Sequence, residues 1–165
     1  MTYDEFVEDR LAALSRYAMM LTGDPHTAQD LVQETMVRAH EKWHQVSAAY
    51  APEQYVKRML TNLFLEWHRG SWLKRVRLRP EPQERPAPHD HAQRSADRDE
   101  VWQALATLPR QQRAAVVLRY YEDRPDQEIA EILGCSVSAA RSYISRALAT
   151  LRSRAGTQLS TGGRR

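Results

Sequence analysis

Apolar residues near the start of the chain recur at the interval that builds one stripe of an α-helix: Val7, Leu11, Leu14, Ala18 and Leu21. Thr2 followed by Glu5 has the form of a capping box ahead of this stripe, and Gly23 ends it. Asp24 and Pro25 suit the cap and first position of a second helix, because the carboxylate accepts from free backbone N–H groups and proline has no N–H to leave unpaired. Ala28, Leu31, Val32, Thr35, Met36 and Ala39 form its inward face, and Asp30, Gln33, Glu34 and Arg38 lie on the other. After a less regular segment, Trp43 to Ala51, Pro52 opens a third helix. Val56, Met59, Leu60, Leu63, Phe64 and Trp67 are expected on its buried side, and Lys57, Arg58, Thr61, Asn62 and Arg69 on its exposed side.

Pro80, Pro82, Pro86 and Pro88 follow among Glu, Gln, Arg and His with no apolar period between them. Such a stretch neither propagates a helix nor builds a core, so residues 73–96 are expected to form a semi-extended, flexible linker. Beyond it, Val101, Leu105 and Leu108 start a helical pattern that Pro109 interrupts, and Ala114, Val117, Leu118 and Tyr121 resume it. Asp126 to Leu133 and Val137 to Arg154 read as two further helices, the second with Val137, Ala140, Ile144, Leu148 and Leu151 inward. Residues 156–165, rich in Gly, Ser and Thr, read as a disordered tail. Nothing alternates as a strand does, and no internal repeat marks a solenoid. The prediction is an all-α chain of two small helical domains, 1–72 and 97–155, the second containing a helix-turn-helix.

Composition narrows the function more than the fold. The chain has 165 residues, 42% hydrophobic and 27% charged, as in an ordinary globular protein, and no apolar run approaches the roughly 20 residues of a membrane span. Asp4, Glu5, Glu8 and Asp9 stand where a secretory signal would be basic and then apolar, so a cytoplasmic protein without membrane insertion is expected. Cys135 is the one cysteine and reads as a small buried apolar residue. His89 and His91 have no companion ligands, so no metal or other cofactor is expected. A glycine-rich phosphate loop and a Ser/His/Asp or Cys/His grouping are both lacking, so no catalysis is expected.

The net charge is only +3, but it is unevenly spread. Residues 1–34 hold seven acidic and two basic side chains, residues 53–79 hold seven basic and two acidic, and from Cys135 onward there are six arginines and no acid. Two separated basic segments suggest two contacts with a polyanion, because releasing phosphate counterions rewards clustered Arg and Lys. Solvated helix faces are the other reading of such segments.

The sharpest local signal runs from Asp126 to Arg141, Asp-Gln-Glu-Ile-Ala-Glu-Ile-Leu-Gly-Cys-Ser-Val-Ser-Ala-Ala-Arg. Ala130 lets two helices approach, Gly134 permits the left-handed backbone of a tight turn, and Ile129, Leu133, Val137 and Ile144 pack the angle between them. Ser136 can cap the second helix, whose exposed face then shows Ser138, Arg141, Ser142, Ser145 and Arg146. Short polar residues interleaved with arginine suit a helix lying in a major groove. A helical hairpin in a protein-binding bundle has the same apolar pattern without the arginines' role.

Three further segments complete the picture: Asp30-Leu-Val-Gln-Glu-Thr-Met-Val-Arg-Ala; Tyr55-Val-Lys-Arg-Met-Leu-Thr-Asn-Leu-Phe-Leu-Glu-Trp-His-Arg; and Leu108-Pro-Arg-Gln-Gln-Arg-Ala-Ala-Val-Val-Leu-Arg-Tyr-Tyr. In this order, with the helix-turn-helix behind them, they resemble the extracytoplasmic function sigma factors of the sigma-70 family, in particular the actinobacterial branch. The resemblance covers all but the linker and tail. It implies a non-enzymatic subunit that binds core RNA polymerase and directs promoter-specific transcription initiation. Asp30, Gln33, Glu34 and Arg38 would dock on the coiled coil of the largest polymerase subunit, and the flap region would be a second polymerase contact.

The third helix and the loop before it, about His44 to Gln54, would hold the melted minus-ten element. Lys57, Arg58 and Arg69 would sit on phosphates there. Asn62 fits either a base-edge reader or an internal hydrogen-bond role. Ser138, Arg141, Ser142, Ser145 and Arg146 would read the minus-thirty-five element as duplex. Ser138-Ala139 and Tyr143 depart from the small-residue-Thr pair and the basic residue usual in that family, which implies an unusual preferred sequence. Lys74, Arg75, Arg77 and Arg79 would lead the linker through the polymerase, and an anti-sigma protein is a partner the resemblance allows. A stand-alone helix-turn-helix regulator is the main alternative, with a protein-binding adaptor behind it.

Overall fold

The computed structural model describes residues 1–67 and 92–162, with side chains for 1–67 and 99–156. The described residues are helical and contain no strand. In chain order the elements are α1 (Tyr3–Thr22), α2 (Pro25–Glu41), α3 (Trp43–Ala48), α4 (Pro52–Glu66), α5 (Ala92–Ala106), α6 (Arg110–Val116), a π-helical turn (Val117–Tyr121), α7 (Asp126–Leu133) and α8 (Val137–Gly162). The expected linker lies mostly outside the described residues, and α5 begins at Ala92 within its last part. The last helix continues to Gly162, beyond Gly156 where a tail was expected to begin.

Local chemistry accounts for the helix ends. The capping box at Thr2 and Glu5 makes both of its bonds, at 2.8 and 3.2 Å. Gly23 takes φ +69° and its N–H donates to the Met19 carbonyl at 2.8 Å, a left-handed stop that a side chain would strain. Asp24 accepts from the Thr27 N–H at 3.0 Å and so opens α2, with Pro25 at its first position. The segment expected to be irregular contains α3, and Pro52 opens α4.

The inward face of α2 is the predicted one, with Ala28, Leu31, Val32, Thr35, Met36 and Ala39 all buried. In α1 the stripe is rotated from the aliphatic pattern: Phe6, Leu14, Tyr17, Ala18 and Leu21 are buried, Val7 is half-buried, and Leu11 is 38% exposed. Tyr17 can enter the core because its hydroxyl meets that of Thr61 at 2.7 Å, which satisfies both. Thr61 also donates to the Lys57 carbonyl at 2.7 Å. Lys57 and Thr61, expected on the exposed side of α4, are therefore inside, while Met59, expected inside, is only half-buried.

In the second unit, Val101 and Tyr121 are exposed where the apolar pattern placed them inward. For Tyr121 the cause is the π-helical turn, whose Glu122 N–H reaches back five residues to the Val117 carbonyl at 3.1 Å. The wider turn rotates Tyr121 off the stripe set by Ala114, Val117 and Leu118.

The two units share one core, which runs from Phe6 to Ala147 without a break between them. Two α6 arginines fasten the join. Arg110 donates to the Phe64 carbonyl at 2.6 Å and Arg113 to that of Leu21 at 2.8 Å, which are carbonyls in the last turns of α4 and α1. Cations at helix C-termini meet both free carbonyls and the negative end of the helix dipole. Both guanidinium groups also lie over the Phe64 ring, at 4.8 and 5.7 Å from its centroid. Burial, and then the neighbouring Arg113, pull Arg110 down to about 10, and burial lowers Arg113 as well.

Candidate nucleic-acid and polymerase interface

Three surfaces hold the residues singled out in the sequence. On α2, Gln33 and Arg38 are exposed, and Asp30 and Glu34 are half-buried. Glu34 and Arg38 pair at 3.1 Å across one helical turn. Beside them a groove between α1 and α2 is floored by Leu11, Met19, Ala28 and Val32 and edged by Gln33. Of the polar set, Gln33 lines this groove, whose rim also carries Ser15, Arg16 and Gln29.

The second surface is formed by the α3–α4 turn and α4. Arg58 and Asn62 are exposed on α4, and Tyr50 at the turn is completely exposed. A pocket there is lined by Ala49, Tyr50, Gln54, Tyr55 and Arg58 on one side and by Glu131 and Ile132 of α7 on the other. Gln54 donates to the Glu131 carboxylate at 2.8 Å. Arg69, Lys74, Arg75, Arg77 and Arg79, along with Trp72, His89 and His91, lie outside the described residues. Trp67 is buried at 4% exposure, in keeping with its place on the inward stripe.

Lys57 is the main correction to the sequence-based site. Its ammonium is 1% exposed and hydrogen-bonded to the Glu122 carboxylate, with Glu53 at 3.5 Å and the Tyr17 ring centroid at 5.8 Å. Glu53 also meets Arg10 at 3.0 Å and Arg124 at 3.9 Å. A lysine placed among aliphatic neighbours goes inside only if a carboxylate follows it, because an unpaired buried charge is far costlier than a paired one. The carboxylate comes from the other unit, 65 residues away, where no helical period could reveal it. Around this pair, burial raises the Tyr17 phenol, the Thr61 hydrogen bond opposes that shift, and the Glu122 charge adds to it.

The third surface is the helix-turn-helix, built as its local chemistry predicts. Gly134 takes φ +67°, and the Cys135 N–H returns to the Ala130 carbonyl at 3.0 Å. Ser136 caps α8 by accepting from the Ala139 N–H at 3.1 Å. Ser138, Arg141, Ser145 and Arg146 are exposed on α8, and Ser142 is half-buried. Arg119 joins this surface from the π-helical turn and was not singled out in the sequence: it and Arg141 both donate to Asp126, at 2.5 and 3.0 Å. Cys135 is half-buried, and burial raises its thiol.

Among the described residues, no group of three or more His, Cys, Asp or Glu could hold a metal ion, and no helix is long and apolar enough to cross a membrane.

The family models for Sigma-70 region 2 and Sigma-70, region 4 match residues 6–74 and 98–151. The chain is 35% identical over 151 residues to the RNA polymerase sigma-E factor of Streptomyces coelicolor, covering 91% of this chain and 84% of that protein. It is 34% identical over 159 residues to the ECF RNA polymerase sigma factor SigE of Mycolicibacterium smegmatis, covering 92% of this chain and 60% of that one. The sigma factor RpoE of Bartonella quintana, solved in complex with the anti-sigma factor NepR, has the same fold, with a TM-score of 0.71 at 23% identity over 92% of this chain and 94% of that one.

An all-α chain with these two regions in this order belongs to the sigma-70 family of RNA polymerase sigma factors, in its extracytoplasmic function group. It is a sigma factor, a subunit that binds core RNA polymerase and directs initiation at chosen promoters. Region 2 is what a stand-alone helix-turn-helix regulator would lack. Members of this family are in general non-enzymatic regulators of transcription.

Proposed function

We propose a division of labour within this sigma factor along the two helical units, 1–72 and 97–155. Asp30, Gln33, Glu34 and Arg38, beside the α1–α2 groove, dock on the largest-subunit coiled coil of core polymerase, and the second unit meets the flap region. Arg58, Asn62 and Arg69, joined by Lys57 once its carboxylate partner withdraws, follow the melted minus-ten strand, with the turn at Tyr50 and Gln54 receiving an unstacked base. Ser138, Arg141, Ser142, Ser145 and Arg146 read the minus-thirty-five duplex. The chain works in the cytoplasm, catalyses nothing itself, and has an anti-sigma protein as a third partner beside core polymerase and promoter DNA.

The observation that carries this reading is the capped helix α8, which presents Ser138, Arg141, Ser145 and Arg146 to solvent on a unit matched to region 4. The minus-ten half carries a condition. Glu122, just after the π-helical turn, holds Lys57, and Glu131 of α7 holds Gln54, so these two side chains reach DNA only once both segments have left α4. On this reading the closed form and the DNA-bound form are mutually exclusive, because each carboxylate occupies a side chain that the strand would need.

The test is run-off transcription with purified core polymerase on fragments of the source genome, with and without the protein. Start sites that appear only when it is added define its promoters. On those promoters, Arg141→Ala should weaken dependence on the upstream element while leaving core binding intact. Equal loss of core binding would mean that α8 only folds the unit.

A further inference from the structure

We propose that Asp126 is a positioning residue for minus-thirty-five recognition, a buttress that aims the Arg141 guanidinium into the major groove. The proposal rests on the reading of α8 given above. Asp126 is the first residue of α7, on the helix before the recognition helix, and its carboxylate is 22% exposed. One of its oxygens accepts from Arg141 Nε at 3.0 Å, and the other accepts from Arg119 at 2.5 Å. Among the described residues neither terminal nitrogen of Arg141 has a protein partner, and the side chain is 68% exposed.

The choice of nitrogen matters. A guanidinium held by Nε keeps its two outer N–H groups parallel and pointing away from the holder, the fork that matches the paired acceptors on a guanine edge. Without the carboxylate, an exposed arginine spreads over many rotamers and loses that freedom only on binding. Arg119 completes the arrangement. With a cation on its second oxygen, the carboxylate repels an approaching phosphate less, and it is itself held in one orientation. Three groups from three elements, the π-helical turn, α7 and α8, thus form one cluster with a net charge of +1, its two arginines exposed and the carboxylate between them half-buried. As surface ion pairs these contacts add little to folding, so their use lies in geometry.

A buttress and a structural contact make different predictions. Removing a buttress lowers discrimination at the base pair Arg141 reads but does not lower affinity for unrelated DNA, because a negative charge leaves the surface. The experiment uses holoenzyme reconstituted with core polymerase on a promoter found by the run-off assay, with every upstream-element base pair substituted in turn. Arg141→Ala sets the scale: it should flatten the preference at one or two adjacent positions by about 5- to 150-fold. Asp126→Asn, which keeps the shape and removes the charge, and Asp126→Ala should flatten the same positions by about 3- to 10-fold, with affinity for scrambled duplex unchanged or higher. Asp126→Glu should recover part of the loss, and adding Asp126→Ala to Arg141→Ala should cost nothing more.

If Arg141→Ala flattens the preference and neither Asp126 variant does, the buttress is wrong and the reading of α8 stands. If the Asp126 variants lose cognate and scrambled binding in equal proportion, with a lowered melting temperature, the residue is structural and the proposal is overturned. If Arg141→Ala flattens nothing, the minus-thirty-five reading falls and takes the buttress with it.

Discussion

Glu122→Gln is the substitution whose effect follows most directly from the structure. It keeps the size and hydrogen-bonding ability of the side chain and removes one charge from a pair in which Lys57 is 1% and Glu122 14% exposed. Removing one member of a buried ion pair typically costs about 3–5 kcal/mol, because the remaining charge stays desolvated and unpaired. Here Glu53 remains at 3.5 Å from the ammonium, and Glu122 itself touches solvent, so we expect about 2–3 kcal/mol. For a chain of this size that is a fall in melting temperature of about 5–10 °C. A double-mutant cycle with Lys57→Met in urea isolates the pair: the double variant should regain most of what Glu122→Gln loses, because a methionine needs no counter-charge. A loss below about 0.5 kcal/mol for Glu122→Gln, the size of an ordinary surface change, would show that the pair is not buried in solution and refute the packing of the end of the π-helical turn on α4.

Three other substitutions test separate parts of the account. A phenol raised above its ordinary value stabilises the fold fully below pH 10, and that stability is lost as the pH climbs above 10, where the unfolded chain ionises first. Tyr17→Phe should therefore carry a stability deficit at pH 8 that shrinks above pH 10 by up to about 1.4 kcal/mol per pH unit, and a deficit constant to pH 11.5 in urea titrations would contradict the buried hydroxyl. Arg110, lowered to about 10, changes stability in the opposite sense over that range, but it is common to both proteins and drops out of the comparison. Gly134→Ala puts a side chain at φ +67° where the new methyl meets nothing within 4 Å, so its cost is that of the backbone alone, about 1–2 kcal/mol by thermal melting, with Gly134→Asn losing less. Ser136→Ala removes the cap of the recognition helix and should cost about 1 kcal/mol by the same measurement.

Legibility in the sequence followed the range of the interaction that decided each feature. The caps at Thr2, Asp24 and Ser136 and the left-handed stops at Gly23 and Gly134 are written in neighbouring residues, so they could be read without the fold. The α2 face was legible because all six inward positions are apolar or threonine, and the Thr35 hydroxyl is satisfied by the Leu31 carbonyl of its own helix. The α4 face failed at Lys57 and Thr61 for one reason: periodicity sorts side chains by type, and these two are buried because of partners on other elements, Glu122 and Tyr17. Tyr121 failed differently, since a helical period cannot anticipate a turn closed over five residues. On α8 the period did place Ser138, Arg141, Ser145 and Arg146 on the exposed face, with Ser142 half-buried, but Arg119 and Asp126 were not weighed as members of the surface, because the contact that joins them to Arg141 spans three elements.

Burial of Lys57 also sets a balance between the closed chain and its proposed work. Glu122 pays the desolvation cost of that lysine only while the units are packed; once they part, both charges are hydrated and the substitution matters little. Glu122→Gln should then weaken the closed form by about 2–3 kcal/mol and leave the separated form nearly untouched. If the closed form is the one core polymerase and the minus-ten strand must displace, the same change strengthens assembly of the promoter complex, by roughly 30- to 140-fold at most. A variant that melts earlier and initiates better is therefore the expected signature, read by titrating core polymerase in the run-off assay. Glu131→Gln, which loosens the weaker and exposed contact to Gln54, should act in the same direction and by less. An earlier melt with weaker initiation would mean that the packed arrangement is the working form, and the minus-ten role assigned to α4 would have to be met without Lys57.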